Sequence, residues 1–131
     1  MSEVLKLFAV DIEDLAVLSA HLEGARLVPG QMVYLPKQKR FAFVAQRHCD
    51  RLGGMQAVGV HFDGVARVEH KQFTRDNPDL FLTLLAITFD PQDSPAGRIT
   101  FHCSQGRAIR LEVDYIEAAL SDLADEQTEK M

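Results

Sequence analysis

The pattern of apolar and polar positions begins with a strand-like segment that is followed by a helical repeat. Val4 to Val10 has the composition of a short strand. Four apolar residues then recur every three or four positions and form one helix face: Ile12, Leu15, Leu18 and Leu22. Asp11 is a suitable N-cap because its carboxylate accepts hydrogen bonds from first-turn amides, and Gly24 suits the helix end. The pattern predicts a strand and then a helix over about 12–23.

A hairpin is predicted from the next two apolar segments, residues 32–35 and 41–45. They flank the polar sequence Pro36-Lys37-Gln38-Lys39-Arg40. Pro36 lacks an amide hydrogen and therefore belongs at a strand end. The polar residues 47–54, which finish with two glycines, predict a loop.

The middle of the chain contains two ambiguous segments. Residues 58–62 and 65–70 are both strand-like, but the parity of the apolar positions changes at Asp63-Gly64. Either a tight hairpin turn or a glycine bulge explains this change, and the pattern leaves both open. Residues 81–89 form a nearly unbroken apolar run, which fits a central strand or a buried helix.

A second hairpin is predicted between residues 99–103 and 109–113. A two-residue turn would place the apolar residues of the two strands on opposite faces. A three-residue turn, Ser104-Gln105-Gly106, instead pairs Phe101 with Ile109, and it puts glycine where a left-handed residue is favoured. We therefore predict the three-residue turn.

The last segment predicts a helix. Asp114 is a suitable N-cap, and Glu117 follows it three residues later in the manner of a capping box. Four apolar residues then recur at helical spacing: Ile116, Ala119, Leu120 and Leu123. Residues 126–131 have nothing to bury and are expected to fray.

Together these elements predict an α+β fold. About seven short strands in hairpin order form a strongly bent antiparallel sheet or a partly open barrel, with one helix after the first strand and one C-terminal helix. A C-terminal helix that closes one end would make the fold similar to pleckstrin-homology-like barrels. We expect one domain over residues 1–125.

Composition narrows the class of protein. The chain has 131 residues, of which 47% are hydrophobic and 25% charged, as in soluble single domains. The net charge of -5 argues against nucleic acid as a partner. The longest apolar stretch, Leu80 to Phe89, is far shorter than the ~20 residues of a membrane helix, and Met1 to Lys6 does not resemble a signal peptide. We therefore expect a cytoplasmic protein with no membrane partner.

Several segments, in their order along the chain, resemble the DUF2948 family of bacterial proteins of unknown function. They are residues 5–7, 14–22, 35–37, 39–41, 61–62, 86–89, 95–97, 108–113 and 116–118. The resemblance covers nearly the whole chain and implies a single cytoplasmic domain. Because the family has no assigned activity, it implies no catalytic residue, and function stays open.

The sequence contains no strong motif for metal binding or catalysis. The possible metal ligands lack the paired short spacings of zinc sites: His48, Cys49, Asp50, His61, His70, His102 and Cys103. No serine elbow or phosphate-binding loop occurs, and Cys49 has no positioned base. We therefore predict no catalytic residue, no metal and no cofactor, and we consider an enzyme the less favoured class.

Charge gives the only candidate surface. Residues 37–75 carry eight basic and three acidic side chains, or +5, and residues 111–131 carry seven acids and one lysine, or -6. Such runs often only solvate a surface. They can also steer partners, so we predict an interaction surface at Lys37, Lys39, Arg40 and Arg47 on a non-enzymatic module. Its partner would be another protein or a second copy; the alternative is a small-ligand or catalytic cleft beside the bent sheet.

Overall fold

The computed structural model describes residues 5–49, 54–71 and 80–123. Within these ranges the chain forms ten strands, one α-helix and two short 3₁₀ turns. In chain order the strands and helix are β1 (Lys6–Ala9), α1 (Ile12–Leu22), β2 (Arg26–Leu27), β3 (Val33–Leu35), β4 (Arg40–Cys49), β5 (Gly54–Asp63), β6 (Val65–Lys71), β7 (Leu82–Pro91), β8 (Gly97–Cys103), β9 (Ala108–Val113) and β10 (Ala118–Asp122). The predicted frayed tail, residues 126–131, lies outside the described residues.

The strands form one open sheet with the order β1-β10-β5-β4-β2-β7-β8-β9-β6, and β3 pairs with β4. The α+β class is therefore confirmed, with ten described strands where about seven were predicted. We call β1, β10, β5, β4 and β3 the first layer, and β7, β8, β9 and β6 the second layer. The short strand β2 pairs with both β4 and β7 and so joins the layers.

Aromatic side chains fill the space between the two layers. Phe101 in the second layer packs against three rings of the first: Phe41, Phe43 and Phe62, at centroid distances of 6.3, 5.6 and 5.3 Å. These contacts are edge-on, the geometry that the ring quadrupoles favour. The bent sheet thus has one aromatic core inside it and two outer faces.

Helix α1 is confirmed at the predicted position, and it covers the edge of β7 beyond β2. Asp11 caps it by accepting a hydrogen bond from the Asp14 amide at 2.8 Å. Three residues of its predicted stripe, Leu15, Leu18 and Leu22, are buried in the core, whereas Ile12 is 56% exposed. The amide of Ile87 donates to the Ser19 hydroxyl oxygen at 2.9 Å, so a side chain of the helix satisfies a backbone donor on β7.

Neither the hairpin at Asp63-Gly64 nor a helix at 81–89 is formed. β5 pairs with β4 and β10, whereas β6 pairs with β9, so Gly64 carries the chain from the first layer to the second. Gly64 has a φ of 72°, and a Cβ there would lie 2.8 Å from the Tyr115 ring. A register shift does occur in β6, but it lies between Val65 and Arg67 and not at the predicted Asp63-Gly64. The apolar run 81–89 belongs to β7.

Both predicted hairpins are formed. β3 and β4 are joined through Pro36, and the turn at Ser104–Gly106 pairs Phe101 with Ile109 as expected. The loop predicted at 47–54 is wrong at both of its ends, because β4 continues through Cys49 and β5 begins at Gly54. Arg47 therefore lies in a strand.

The predicted C-terminal helix is wrong: residues 118–122 form β10. This strand pairs with β1 on one side and with β5 on the other. Leu120 lies between Leu7 and Val60 in the register and is 1% exposed. As a strand, residues 118–122 pair with a neighbouring strand on each side and bury Leu120. These tertiary interactions outweigh the helical spacing of the apolar residues, because tertiary pairing overrides local propensity. The element on which the similarity to pleckstrin-homology-like barrels depended is thus a strand.

Candidate interaction surface

The two outer faces of the sheet differ in character. The outer face of the second layer is polar and internally paired. Its cross-strand contacts include Arg98 with Glu112 at 3.0 Å and the Thr88 hydroxyl with the His102 ring nitrogen Nε2 at 2.8 Å. On the edge strand β6, Arg67 pairs with Glu69 at 2.8 Å. Charged side chains of this kind keep a face and an edge solvated.

The outer face of the first layer is largely apolar. It holds five of the eleven large hydrophobic side chains that are exposed among the described residues. They lie in the strands or directly after them, and they alternate with the buried side chains: Phe8, Val33, Leu35, Met55 and Leu123. We call these five residues and the small residues between them the apolar face.

The strand register aligns the centre of the apolar face. Val33, Ala42, His61, Ala119 and Phe8 are successive partners across β3, β4, β5, β10 and β1. The neighbouring row contains small residues on β5 and β10, with Gly59 opposite Ser121. Alanine, glycine and serine have small side chains or none, so the surface is depressed at the centre of the face. A shallow groove of about 450 Å³ opens there. Phe8, which is 74% exposed, stands at its side.

A polar cluster closes one end of the groove. The Arg40 Nε donates to Asp63 Oδ1 at 2.7 Å, and His61 Nε2 lies 3.6 Å from Asp63 Oδ2. The hydrogen bond and the charge of Asp63 raise the pKa of the Arg40 guanidinium above its usual value. Since these groups satisfy one another, they can form a polar rim for a docked surface.

Two of the three predicted basic residues in the hairpin turn form ion pairs within the chain. Lys37 is exposed and makes no ion pair with a described residue. Lys39 Nζ lies 3.0 Å from Asp114 Oδ2, and this hydrogen-bonded carboxylate raises the lysine pKa. Arg40 is bound to Asp63 as described above. The turn does bring Lys37, Lys39 and Arg40 together, but two of the three charges are neutralised within the chain.

Arg47 lies apart from the hairpin surface, at the end of the inner face of the first layer. Its Nη2 donates to both carboxylate oxygens of Asp122, at 3.1 and 3.0 Å, and the two side chains are 15% and 8% exposed. The Leu5 amide donates to the same carboxylate at 3.1 Å. Arg47 thus holds β4, β10 and the start of β1 together. Asp114 and Asp122 belong to the acidic segment 111–131. Asp114 pairs with Lys39 and Asp122 pairs with Arg47, so two residues of the predicted interaction surface have acidic partners within the chain.

A second concave region lies beside the start of α1. Its volume is about 450 Å³, and apolar groups from four segments surround it: Val10, Ile12, Phe89, Pro95, Tyr115 and Ile116. Three polar residues, Asp11, Glu13 and Ser94, also line it. This cleft is the place in the fold that matches the alternative prediction of a pocket beside the bent sheet.

The described residues contain no group of three or more histidine, cysteine, aspartate or glutamate side chains that could hold a metal ion. Cys103 is a buried free thiol, and burial raises its pKa to about 11. At neutral pH this thiol is protonated and enclosed, which makes it a poor nucleophile.

Sequence reasoning missed the apolar face, although one signal was present. In residues 5–10 the inward positions Leu7 and Ala9 are apolar, but so are the outward positions Phe8 and Val10. A strand at the edge of a sheet that is apolar on both faces indicates something beyond the core of its own domain. The charge pattern indicates the adjacent hairpin instead.

Comparisons with known proteins give a single finding. The family model described as "Protein of unknown function (DUF2948)" matches residues 5–131. No curated protein and no solved structure matches the chain. Among the described residues, no helix has the length and apolar character needed to cross a membrane.

Proposed function

Because the chain belongs to the DUF2948 family, for which no activity is described, we propose a function from the geometry alone. It is a small non-enzymatic interaction module that acts in the cytoplasm and binds a protein surface through the apolar face. The observation that carries this proposal is the concentration of five of the eleven exposed large hydrophobic side chains on the outer face of one layer. Contiguous apolar surface with a polar border is typical of protein docking sites.

The predicted hairpin residues have a place in this proposal as a rim. Arg40 lines the groove, and Lys37 lies in the turn that directly follows β3, which carries Val33 and Leu35. Charges at an interface rim affect the association rate more than the affinity. The hairpin would therefore steer an approaching surface, while the apolar face holds it.

The test compares two charge insertions at matched exposed apolar positions. Val33→Lys alters the apolar face at a position that is 44% exposed, and Leu85→Lys alters β7 in the second layer at a position that is 52% exposed. Full-length wild type and both variants are immobilised, and the proteins that they capture from the native cell are compared by mass spectrometry. We expect capture by wild type and Leu85→Lys to agree and capture by Val33→Lys to be lost. Identical capture by all three proteins would show that the face is not the binding site.

The cleft beside α1 supports a second candidate function, the binding of a small ligand. Phe89, Pro95 and Tyr115 supply apolar walls, and Glu13 supplies a carboxylate that can pair with a cationic group. A screen of small aromatic amines by NMR tests this candidate. Saturable shifts confined to the signals of Phe89, Tyr115 and Glu13 would support it, and the absence of any saturable shift would remove it.

A further inference from the structure

We propose that the cleft beside the start of α1 binds a lysine or arginine side chain that a partner protein presents within an apolar peptide segment. This inference rests on the second candidate function and deepens it, because it names what carries the cationic group. The cleft is separate from the apolar face. It holds three other exposed large hydrophobic side chains: Val10, Ile12 and Tyr115.

Two aromatic rings in the walls of the cleft are held by close backbone neighbours. The Tyr115 ring lies against Gly64, where a Cβ would come within 2.8 Å of it, and the Phe89 ring lies against Gly97 in the same way. Tyr115 is nevertheless 42% exposed, so part of its ring is available to a ligand. An aromatic ring in a fixed position can contact both the alkyl stem and the charged head of a basic side chain.

Glu13 supplies a carboxylate that the fold itself leaves unpaired. The neighbouring acids are used by the helix: Asp11 accepts a hydrogen bond from the Asp14 amide at 2.8 Å, and Asp14 accepts one from the Val10 amide at 3.1 Å. The Glu13 carboxylate has no hydrogen-bond or ion-pair partner among the described residues. It lines the cleft together with the apolar walls, so a cation that enters the cleft can pair with it.

The charge around the cleft favours a basic partner. The three stretches that supply its walls, residues 10–14, 89–95 and 114–117, contain seven acids and no lysine, arginine or histidine. Lys39 neutralises one of these acids, Asp114, through an ion pair. Because the whole chain carries -5, all the other residues together carry +2, so the negative charge of the chain is concentrated here. Such a surface attracts a basic segment and repels an acidic one.

Apolar surface beside the acids favours a peptide over a free amine. Val10 is 66% exposed and Ile12 is 56% exposed, so both extend the apolar surface past the walls of the cleft. An exposed ion pair alone is weak, because water and salt screen it. A peptide adds the burial of its own apolar residues on Val10 and Ile12, and it brings further basic residues to the acids on the other two stretches.

The first measurement is an NMR titration of the isotopically labelled full chain with a blocked hexapeptide in which lysine and valine alternate. We expect saturable shifts of the amide signals of Val10, Glu13 and Tyr115, and weaker binding at high salt, because salt screens exposed charges. The same peptide with glutamine in place of lysine should bind at least about tenfold more weakly, since several ion pairs are lost together. Equal binding of the two peptides would overturn the inference.

A matched pair of glutamate variants tests the carboxylate. E13Q removes the unpaired charge and keeps the volume of the side chain. It should weaken the lysine peptide about two- to fivefold, the scale of one exposed ion pair, and leave the glutamine peptide unaffected. E23Q makes the same change at an exposed position just past the other end of α1 and should bind as wild type does. Equal losses in E13Q and E23Q would show that only the net charge of the chain matters.

A second matched pair tests the location. I12K and V33K each place a lysine at an exposed β-branched residue, the first at the cleft and the second on the apolar face. I12K should weaken the lysine peptide at least about tenfold, because it removes apolar contact and adds a like charge. V33K should bind the peptide as wild type does. Loss of binding in V33K but not in I12K would place the peptide on the apolar face and refute the inference.

Butylammonium, which is the head of a lysine side chain without the peptide, separates this inference from the second candidate function. We expect it to bind at least about tenfold more weakly than the lysine peptide, because it cannot cover Val10 and Ile12. Butylammonium that binds as tightly as the peptide keeps the small-ligand function and refutes the peptide as the occupant. The absence of saturable binding by every probe removes both from this cleft and leaves the function proposed for the apolar face standing.

Discussion

Truncating two leucines of the last described segment distinguishes the observed strand from the helix that the sequence predicted. In a helix, Leu120 and Leu123 would share one buried stripe, and both truncations would be costly. In the structure Leu120 faces the core at 1% exposure, while Leu123 lies on the outer face at 40% exposure. The two substitutions should therefore have very different effects on the free energy of unfolding.

The expected cost of Leu120→Ala can be worked out from its surroundings. The substitution removes three buried carbon groups, worth about 0.8 kcal/mol each, or about 2.4 kcal/mol. The side chain is enclosed by neighbours on both flanking strands, so the cavity closes only partly and adds roughly 1 kcal/mol or more. We expect a loss of about 3–4 kcal/mol. For Leu123→Ala, where much of the surface is already in water, we expect about 1 kcal/mol or less.

Urea unfolding measures both values under the same conditions. A small domain is stable by about 5–15 kcal/mol, so Leu120→Ala should lower the midpoint strongly while the slope stays constant. Leu123→Ala serves as the matched control, because it removes the same atoms. Equal losses for the two variants would mean that residues 118–123 are helical and that the β10 register is wrong.

Three further predictions concern particular side chains. Gly64→Ala should lower the melting temperature more than Gly106→Ala does. Both sites have a positive φ, but only Gly64 also lies against an aromatic ring. Equal losses of melting temperature for the two variants would contradict that contact. The Cys103 thiol has a raised pKa of about 11 in the folded protein. Its contribution to stability is therefore present below pH 9 and is lost as the pH rises toward 11. Over this pH range the urea midpoint of wild type should fall more steeply than that of Cys103→Ala. Lys39→Glu should lower the melting temperature more than Lys37→Glu, because only Lys39 has an ion-pair partner among the described residues, and the difference should shrink in high salt.

Local signals predicted the elements whose structure is decided locally. Helix α1 has a capping aspartate and a repeated apolar stripe, and the turn at Ser104–Gly106 is determined by which faces the flanking strands must bury. These are interactions between residues close in the sequence. The structure agrees with the predictions there almost residue for residue.

Elements decided by distant partners were not predictable in the same way. Ala118 and Ala119 favour a helix intrinsically, but residues 118–122 gain hydrogen bonds to β1 and β5 only as a strand. The same reason applies to the site. Charge counts identified Lys39 and Arg47 as basic residues, but they could not show that Asp114 and Asp122 lie within hydrogen-bond distance of them.

The position of β10 between β1 and β5 has a consequence for how the chain folds. β1 is made first, yet its partner lies more than a hundred residues later in the sequence. Until residues 118–122 leave the ribosome, β1 has no strand to pair with, and the edge of β5 stays open. The chain loses conformational entropy when a loop of that length closes, and strand pairing compensates this loss only afterwards. We therefore expect folding to be slow. During that interval the unpaired edge of β5 is available to other chains, so we expect the incomplete chain to aggregate more readily than the complete one.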